Sequence, residues 1–244
     1  MPIYDRRVQI ALLLEELVRA TQRLEATVRE LDDEEFSEAS SLPGWTRAHV
    51  LTHIARNADG LRNLLLAART GEAVRMYASP TTRAADIEAG ASRPADVVRD
   101  DVIEAGRRFV LDAGEMRVKA WKAEVVFTSG QSDAPSIPAD SILLMRLEEL
   151  EIHHVDLGAS YTFAHVPPDA AARLLTRYLH RCNRHGLRLS IHPNDIDWPT
   201  TGQENTEVLG GTAAALLAWL SGRSDGDGVR TTSDGPLPVL PPLN

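Results

Sequence analysis

Between Arg6 and Leu31 the residues Val8, Leu12, Leu13, Leu17, Ala20, Leu24, Val28 and Leu31 recur at spacings of three and four. That is the stripe of an amphipathic helix, and a stripe this long must be covered by other elements. The next stretches supply them. After the breaker-rich Ser40-Ser41-Leu42-Pro43-Gly44, Trp45 and Thr46 lead into a second helical run that reaches about Arg69, with Thr46 placed to cap it. A long polar connection carrying Gly71, Pro80, Thr81, Thr82 and Gly90 follows, and Pro94 to about Lys122 reads as a third helix. Val125-Val126-Phe127-Thr128 suits a short extended piece before Gly130, and Pro138 is placed to open a fourth helix running to about Ser160. Four helices with one long crossover form a bundle.

The paired prolines of Val166-Pro167-Pro168-Asp169 stop one element, and Asp169 can cap the next. The expected organisation is therefore a bundle over residues 1–165 and a smaller α/β domain over 166–244. In the second part Ala170 to His185 reads as a helix closed by Gly186. Leu187 to Ile191 and Thr206 to Leu209 read as strands, Thr212 to Leu220 as an apolar helix, and the tail from Arg223 as irregular or a short edge strand.

With 244 residues, 43% of them hydrophobic, the chain can bury a real core. No stretch of eighteen apolar residues offers a membrane span. The single Cys182 excludes an internal disulfide framework, and the first residues lack the charge and apolar pattern of a signal peptide, so a cytoplasmic location is expected. A formal net charge of -9 argues against wrapping nucleic acid or coating anionic lipid, both of which need a cationic surplus. Small anionic substrates need only one or two well-placed arginines.

Helical wheels at about 100° per residue locate the chemistry. On the second helix Val50, Ile54, Leu61 and Leu64 define the buried arc; His53 lies within it beside Asn57, and His49 falls past its edge. On the fourth, Ile142, Met145, Leu150 and Leu157 define the buried face, His153 lies near its centre and Glu149 one turn before, while Glu148 and Glu151 point away. A carboxylate in the middle of an apolar face costs several kcal/mol or becomes neutral unless something compensates it. Two readings stand at this point. Glu149 and His153, spaced i and i+4, project two donors to which His53 adds a third from a facing helix, an open site for a divalent cation with zinc favoured on donor type. Alternatively the histidines are hydrogen-bonded core residues and Glu149 pairs with Arg146 on the same face. His154 is expected to be partly exposed or interfacial, and Trp45 to anchor the end of the bundle core rather than stack on a ligand. His165, His180, His185 and His192 have no partner at ligand spacing. There is no phosphate-binding loop, nucleotide fingerprint or nucleophile elbow, and Cys182 carries no catalytic signature.

The segments Pro43-Gly44-Trp45-Thr46-Arg47 with His49 and His53, Met76-Tyr77-Ala78-Ser79-Pro80 with Arg83, and Glu149 through His153 to Val155-Asp156-Leu157-Gly158 resemble the mycothiol-dependent maleylpyruvate isomerases of the DinB-like metalloenzyme superfamily. The likeness continues around Gly210-Gly211, Trp219 and Gly222-Arg223, and so covers nearly the whole chain. It implies a fold of the α plus α/β kind: a DinB-like four-helix bundle followed by a smaller α/β domain similar to sterol-carrier modules. It places the family's zinc ligands on His53, Glu149 and His153, and its substrate-handling arginine on Arg83, which the sequence by itself reads as a solvated loop residue. The chain departs from the family pattern at Glu151, where an aromatic is usual, and at His154, where a small residue is usual. The resemblance further implies Zn2+ and mycothiol as cofactors, and the cis-trans isomerisation of maleylpyruvate to fumarylpyruvate by a monomer. A mycothiol S-transferase of the same superfamily, and a non-catalytic bundle that binds a protein partner, are the alternatives.

Overall fold

The computed structural model describes residues 6–126, 136–199, 207–233 and 235–241. Phe127, Thr128, Gly130 and Thr206 lie outside them. The chain forms two compact units that divide between Tyr161 and Thr162. This is a few residues ahead of the expected boundary at Val166, because the turn Phe163–His165 packs on a helix of the second unit. No described helix is long and apolar enough to cross a membrane.

In the first unit α1 (Arg6–Glu30), α2 (Arg47–Thr70), α4 (Ala95–Gly114) and α5 (Ser141–Asp156) form the bundle, each of α1 and α2 packing on both α4 and α5. Thr46 caps α2 as expected, its side chain accepting from the His49 N–H. The polar connection after α2 is not a loop throughout. Pro80–Ala91 is a helix, α3, with Ser79 accepting from the Thr82 N–H at 3.0 Å and Pro80 in the first turn, where its missing donor costs nothing. It lies against α2, and the approach is close: a Cβ on Gly90 would stand 2.3 Å from the Thr52 methyl.

Two other helices are shorter than their periodicity suggests. The third ends at Gly114, and a separate single turn, Ala120–Lys122, buries Trp121. Pro138 opens no helix. It ends β2 (Ser136–Pro138), the strand that pairs antiparallel with β1 (Glu124–Val126) over three residues, and α5 begins only at Ser141. At its far end α5 stops before Gly158, whose φ of 65° suits a residue without Cβ.

The second unit contains α6 (Pro168–Arg184), β3 (Leu189–Pro193), β4 (Glu207–Gly211), α7 (Ala213–Leu220) and β5 (Arg230–Thr231). The sheet order is β3-β4-β5, with β3 and β4 parallel and β5 antiparallel to β4. Pro193 ends the edge strand β3, a position that spares a ladder hydrogen bond. The two helices pack on each other and on the sheet, and Thr212 caps α7.

The wheel turned Glu151 away from the buried face of α5, and here the structure differs, whereas His154, read as partly exposed or interfacial, lies in an interface. Both are buried, at 1% and 2% exposure. α5 packs on α1 as well as α2, so its second face is covered too. Glu151 accepts from Arg23 on α1 and from the Tyr161 hydroxyl, and His154 shares a 2.8 Å hydrogen bond with Thr27 while stacking on the Tyr161 ring at 3.8 Å. The polar side chains that interrupt the apolar pattern are thus satisfied by one another. Glu151→Ala removes the carboxylate to which Arg23 and the Tyr161 hydroxyl donate. It should lower stability by about 2–3 kcal/mol in denaturant unfolding, less than a fully buried pair because Arg23 keeps 28% of its side-chain exposure.

Candidate metal centre

α2 and α5 cross with His53 on one and Glu149 and His153 on the other, and their side chains converge. The His53 Nε2 lies 2.9 Å from Glu149 Oε2 and 3.1 Å from His153 Nε2; the third edge, His153 Nε2 to Glu149 Oε2, is 3.3 Å. Donors bound at about 2.0–2.1 Å in a tetrahedron stand roughly 3.3 Å apart, so this triangle is a slightly contracted tetrahedral face. The three residues fit a divalent ion in donor type and in spacing. His53 is closed off at 5% side-chain exposure, whereas His153 at 17% and Glu149 at 28% leave one side of the triangle accessible.

Around the triangle the outer atoms are also engaged. His153 Nδ1 meets Asp156 Oδ2 at 2.8 Å, one turn further along α5. A carboxylate there keeps a proton on Nδ1, so that when the ring loses its other proton it is the Nε2 lone pair that faces the triangle. Arg83 reaches from α3 to donate from Nη2 to His53 Nδ1 at 2.9 Å. It is a half-buried helix residue rather than a solvated loop residue. Trp45 is half-buried too, its ring centroid 5.6 Å from that of His53, so it walls the site instead of anchoring the core. His49 stays out of the triangle because the Thr46 N–H donates to its Nδ1.

Arg146 does not bond Glu149. Its Nη1 donates to the Ile54 carbonyl and to Asn57 Oδ1, both at 2.9 Å, and its guanidinium lies over the Phe109 ring. Burial lowers its pKa to about 10, against the raising influence of Glu149, and it remains a cation at neutral pH. Burial disfavours the Glu149 carboxylate, but hydrogen bonds from His153 and His53 outweigh it and hold the group well below the usual carboxylate range. Burial also lowers His53. For His153 burial acts the same way, but the bonds to Asp156 and Glu149 overcome it and lift the ring to about 9.

The wheels singled out the three donors and the family resemblance pointed to Arg83; Asp156, although three residues from His153, and Tyr77, which no wheel places, were given no role.

The description of the mycothiol maleylpyruvate isomerase N-terminal domain matches residues 17–158, more than half of the chain and the part that holds all these side chains. The chain belongs to that family. Among solved structures, the mycothiol-dependent maleylpyruvate isomerase is 29% identical, with a TM-score of 0.81 over 95% of this chain and 96% of that one. A crystal structure of a histidine-to-alanine mutant of the mycothiol-dependent maleylpyruvate isomerase matches with a TM-score of 0.80 at the same identity and coverage. Curated proteins give no match.

In the metal-free protein the His153 proton has to leave before a cation can take its Nε2. One proton should therefore be released per ion, and affinity should rise about tenfold per pH unit from neutrality towards the His153 pKa of about 9. The same group has a raised folded pKa, so its contribution to metal-free stability is complete below 6.5 and is lost as pH rises through about 9. At pH above that value Asp156→Asn should bind zinc roughly 10- to 100-fold more weakly. Affinity that is flat with pH in competition titrations, or unchanged in the variant, contradicts these assignments.

Proposed function

We propose that this chain isomerises maleylpyruvate to fumarylpyruvate with mycothiol as the thiol cosubstrate, and that His53, Glu149 and His153 hold the divalent ion, zinc on donor type. The convergence of those three donors into one tetrahedral face with an accessible side carries this reading, in a chain that matches a maleylpyruvate isomerase along nearly its full length.

The reaction needs rotation about a carbon–carbon double bond, which is possible only while that bond is single. Addition of a thiolate to the conjugated alkene makes it so: the sulfur–carbon bond forms, the π pair moves into an enolate, the bond rotates, and return of the pair expels the thiolate with the trans product. His53, Glu149 and His153 would hold the zinc, and the ion would supply acidification of a thiol bound beside them. The protein does the rest. Asp156 fixes the His153 ring, Trp45 closes one wall, and Arg83 supplies a planar cationic fork for a carboxylate or the enolate oxygen. Arg146, buried in the core behind Glu149 and bonded there to Ile54 and Asn57, adds cationic charge to the surroundings without reaching the substrate.

No protein thiol is required. Cys182 is buried on α6 of the other unit, and burial raises its pKa, which keeps it a poor nucleophile. Cys182→Ala should turn over maleylpyruvate at the wild-type rate when mycothiol is added, and neither protein should do so without it. Turnover in metal-replete, thiol-free buffer overturns the thiol mechanism, and accumulation of a stable mycothiol adduct in place of fumarylpyruvate makes the protein an S-transferase.

A further inference from the structure

The segment between α2 and α3 runs back over α2, and two contacts press it down. Asn63 donates from Nδ2 to the Met76 carbonyl at 3.2 Å, and the Met76 side chain is buried. Beside Met76, Tyr77 is seated on the one glycine of α2. A Cβ on Gly60 would stand 2.9 Å from Met76 Cγ and 3.0 and 3.1 Å from Tyr77 Cε1 and Cζ, so the hydroxyl-bearing end of the ring rests directly on the helix backbone. Gly60 follows His53 by seven residues, about two turns, and faces nearly the same way.

The Arg83 guanidinium carbon is 5.6 Å from the centroid of the Tyr77 ring, a cation–π contact. Arg83 is thus held from two sides, by Tyr77 and by His53 Nδ1. Those holds differ in one respect. When His53 offers its Nε2 lone pair to a cation, Nδ1 carries the ring proton and becomes a donor, and two donors cannot bond. Tyr77 is then the partner left to direct a long side chain that is only half-buried.

We propose that Tyr77, seated on Gly60, is a positioning residue that holds the Arg83 guanidinium at the edge of the three-donor site, where it meets one carboxylate of a dianionic substrate. The role rests on the function proposed above for the substrate class, but the ring, the glycine and the arginine form the unit whatever the reaction.

Four variants test it: Tyr77→Leu, Tyr77→Phe, Gly60→Ala and Arg83→Ala, with Tyr77→Leu also combined with Arg83→Ala. Zinc content and thermal unfolding are measured first, then KM and kcat for maleylpyruvate and, by calorimetry, the affinity for maleate, a small cis-dicarboxylate that needs no turnover. Loss of the stacked ring should raise the KM for maleylpyruvate and weaken maleate binding roughly 2- to 30-fold in Tyr77→Leu. Zinc content and the KM for mycothiol should not change. Tyr77→Phe keeps the ring and should retain most of the affinity. Gly60→Ala tips the ring from beneath without removing any polar group and should act in the same direction as Tyr77→Leu. In the Arg83→Ala background Tyr77→Leu should have no further effect, because its partner is gone. The proposal is overturned by full additivity of the two changes, by wild-type maleate affinity in Tyr77→Leu, or by wild-type protein that binds no maleate. Wild-type protein that binds maleate with the expected variant pattern, yet leaves maleylpyruvate unchanged, keeps the positioning role and removes the isomerase reading instead.

Discussion

A carboxylate turned into a helical bundle has to be answered by positive charge or by hydrogen-bond donors, and Glu149 is answered by both. His53 crosses from α2, His153 comes from one turn along α5, and the Arg146 cation lies in the same core. This arrangement explains why α2 and α5 meet where they do. His53 and Asn57 occupy successive turns of the α2 face turned to α5, the first bonding Glu149 and the second accepting from Arg146. A seam that in an ordinary bundle would be leucine is here a column of polar groups, each with a partner across it. Such a column is costly to assemble from unpaired parts and specific once assembled.

The remainder of the first unit brings other elements to that column. The close approach at Gly90 lets α3 lie against α2 and turns Arg83 towards His53, while Gly60 lets the preceding segment seat Tyr77. Both glycines sit where a methyl group would collide with a neighbouring side chain, so their value is space rather than backbone freedom. On the opposite side of α5, Glu151, His154, Tyr161, Arg23 and Thr27 tie the helix to α1. Glu149 and His153, two of the three donors, therefore project from a helix fixed on two faces, which is the rigidity a preformed centre needs.

Helical periodicity singled out the three side chains, while by itself it left a metal site and a hydrogen-bonded core both open. His53, Glu149 and His153 are anomalous only against an apolar arc, and a wheel makes that arc visible. It failed where a helix has more than one buried side. Glu151 and His154 fall outside the arc of Ile142 and Leu150, and nothing local reveals that Arg23, Thr27 and Tyr161 wait for them. α3 was missed because Thr81, Thr82 and Gly90 read as a loop, although Ser79-Pro80 is a helix-start signal in its own right. Reading that pair would have placed Arg83 on a helix. The ends of α4 and α5 moved for a related reason: a glycine and a short strand pair cut helices that the apolar pattern alone would prolong. Positions set by tertiary contact, such as Tyr77 on Gly60, have no signature in a single sequence.

The central claim is that two histidines and one glutamate hold a divalent ion and leave one position open to an external sulfur. X-ray absorption at the zinc edge tests it most directly, on protein loaded with zinc, before and after mycothiol is added. The account predicts nitrogen and oxygen neighbours only, at about 2.0–2.1 Å, in the protein alone, and one sulfur at about 2.3 Å once mycothiol is present, in the wild type and in Cys182→Ala alike. A spectrum that mycothiol leaves unchanged, or a sulfur already bound in its absence, would contradict it.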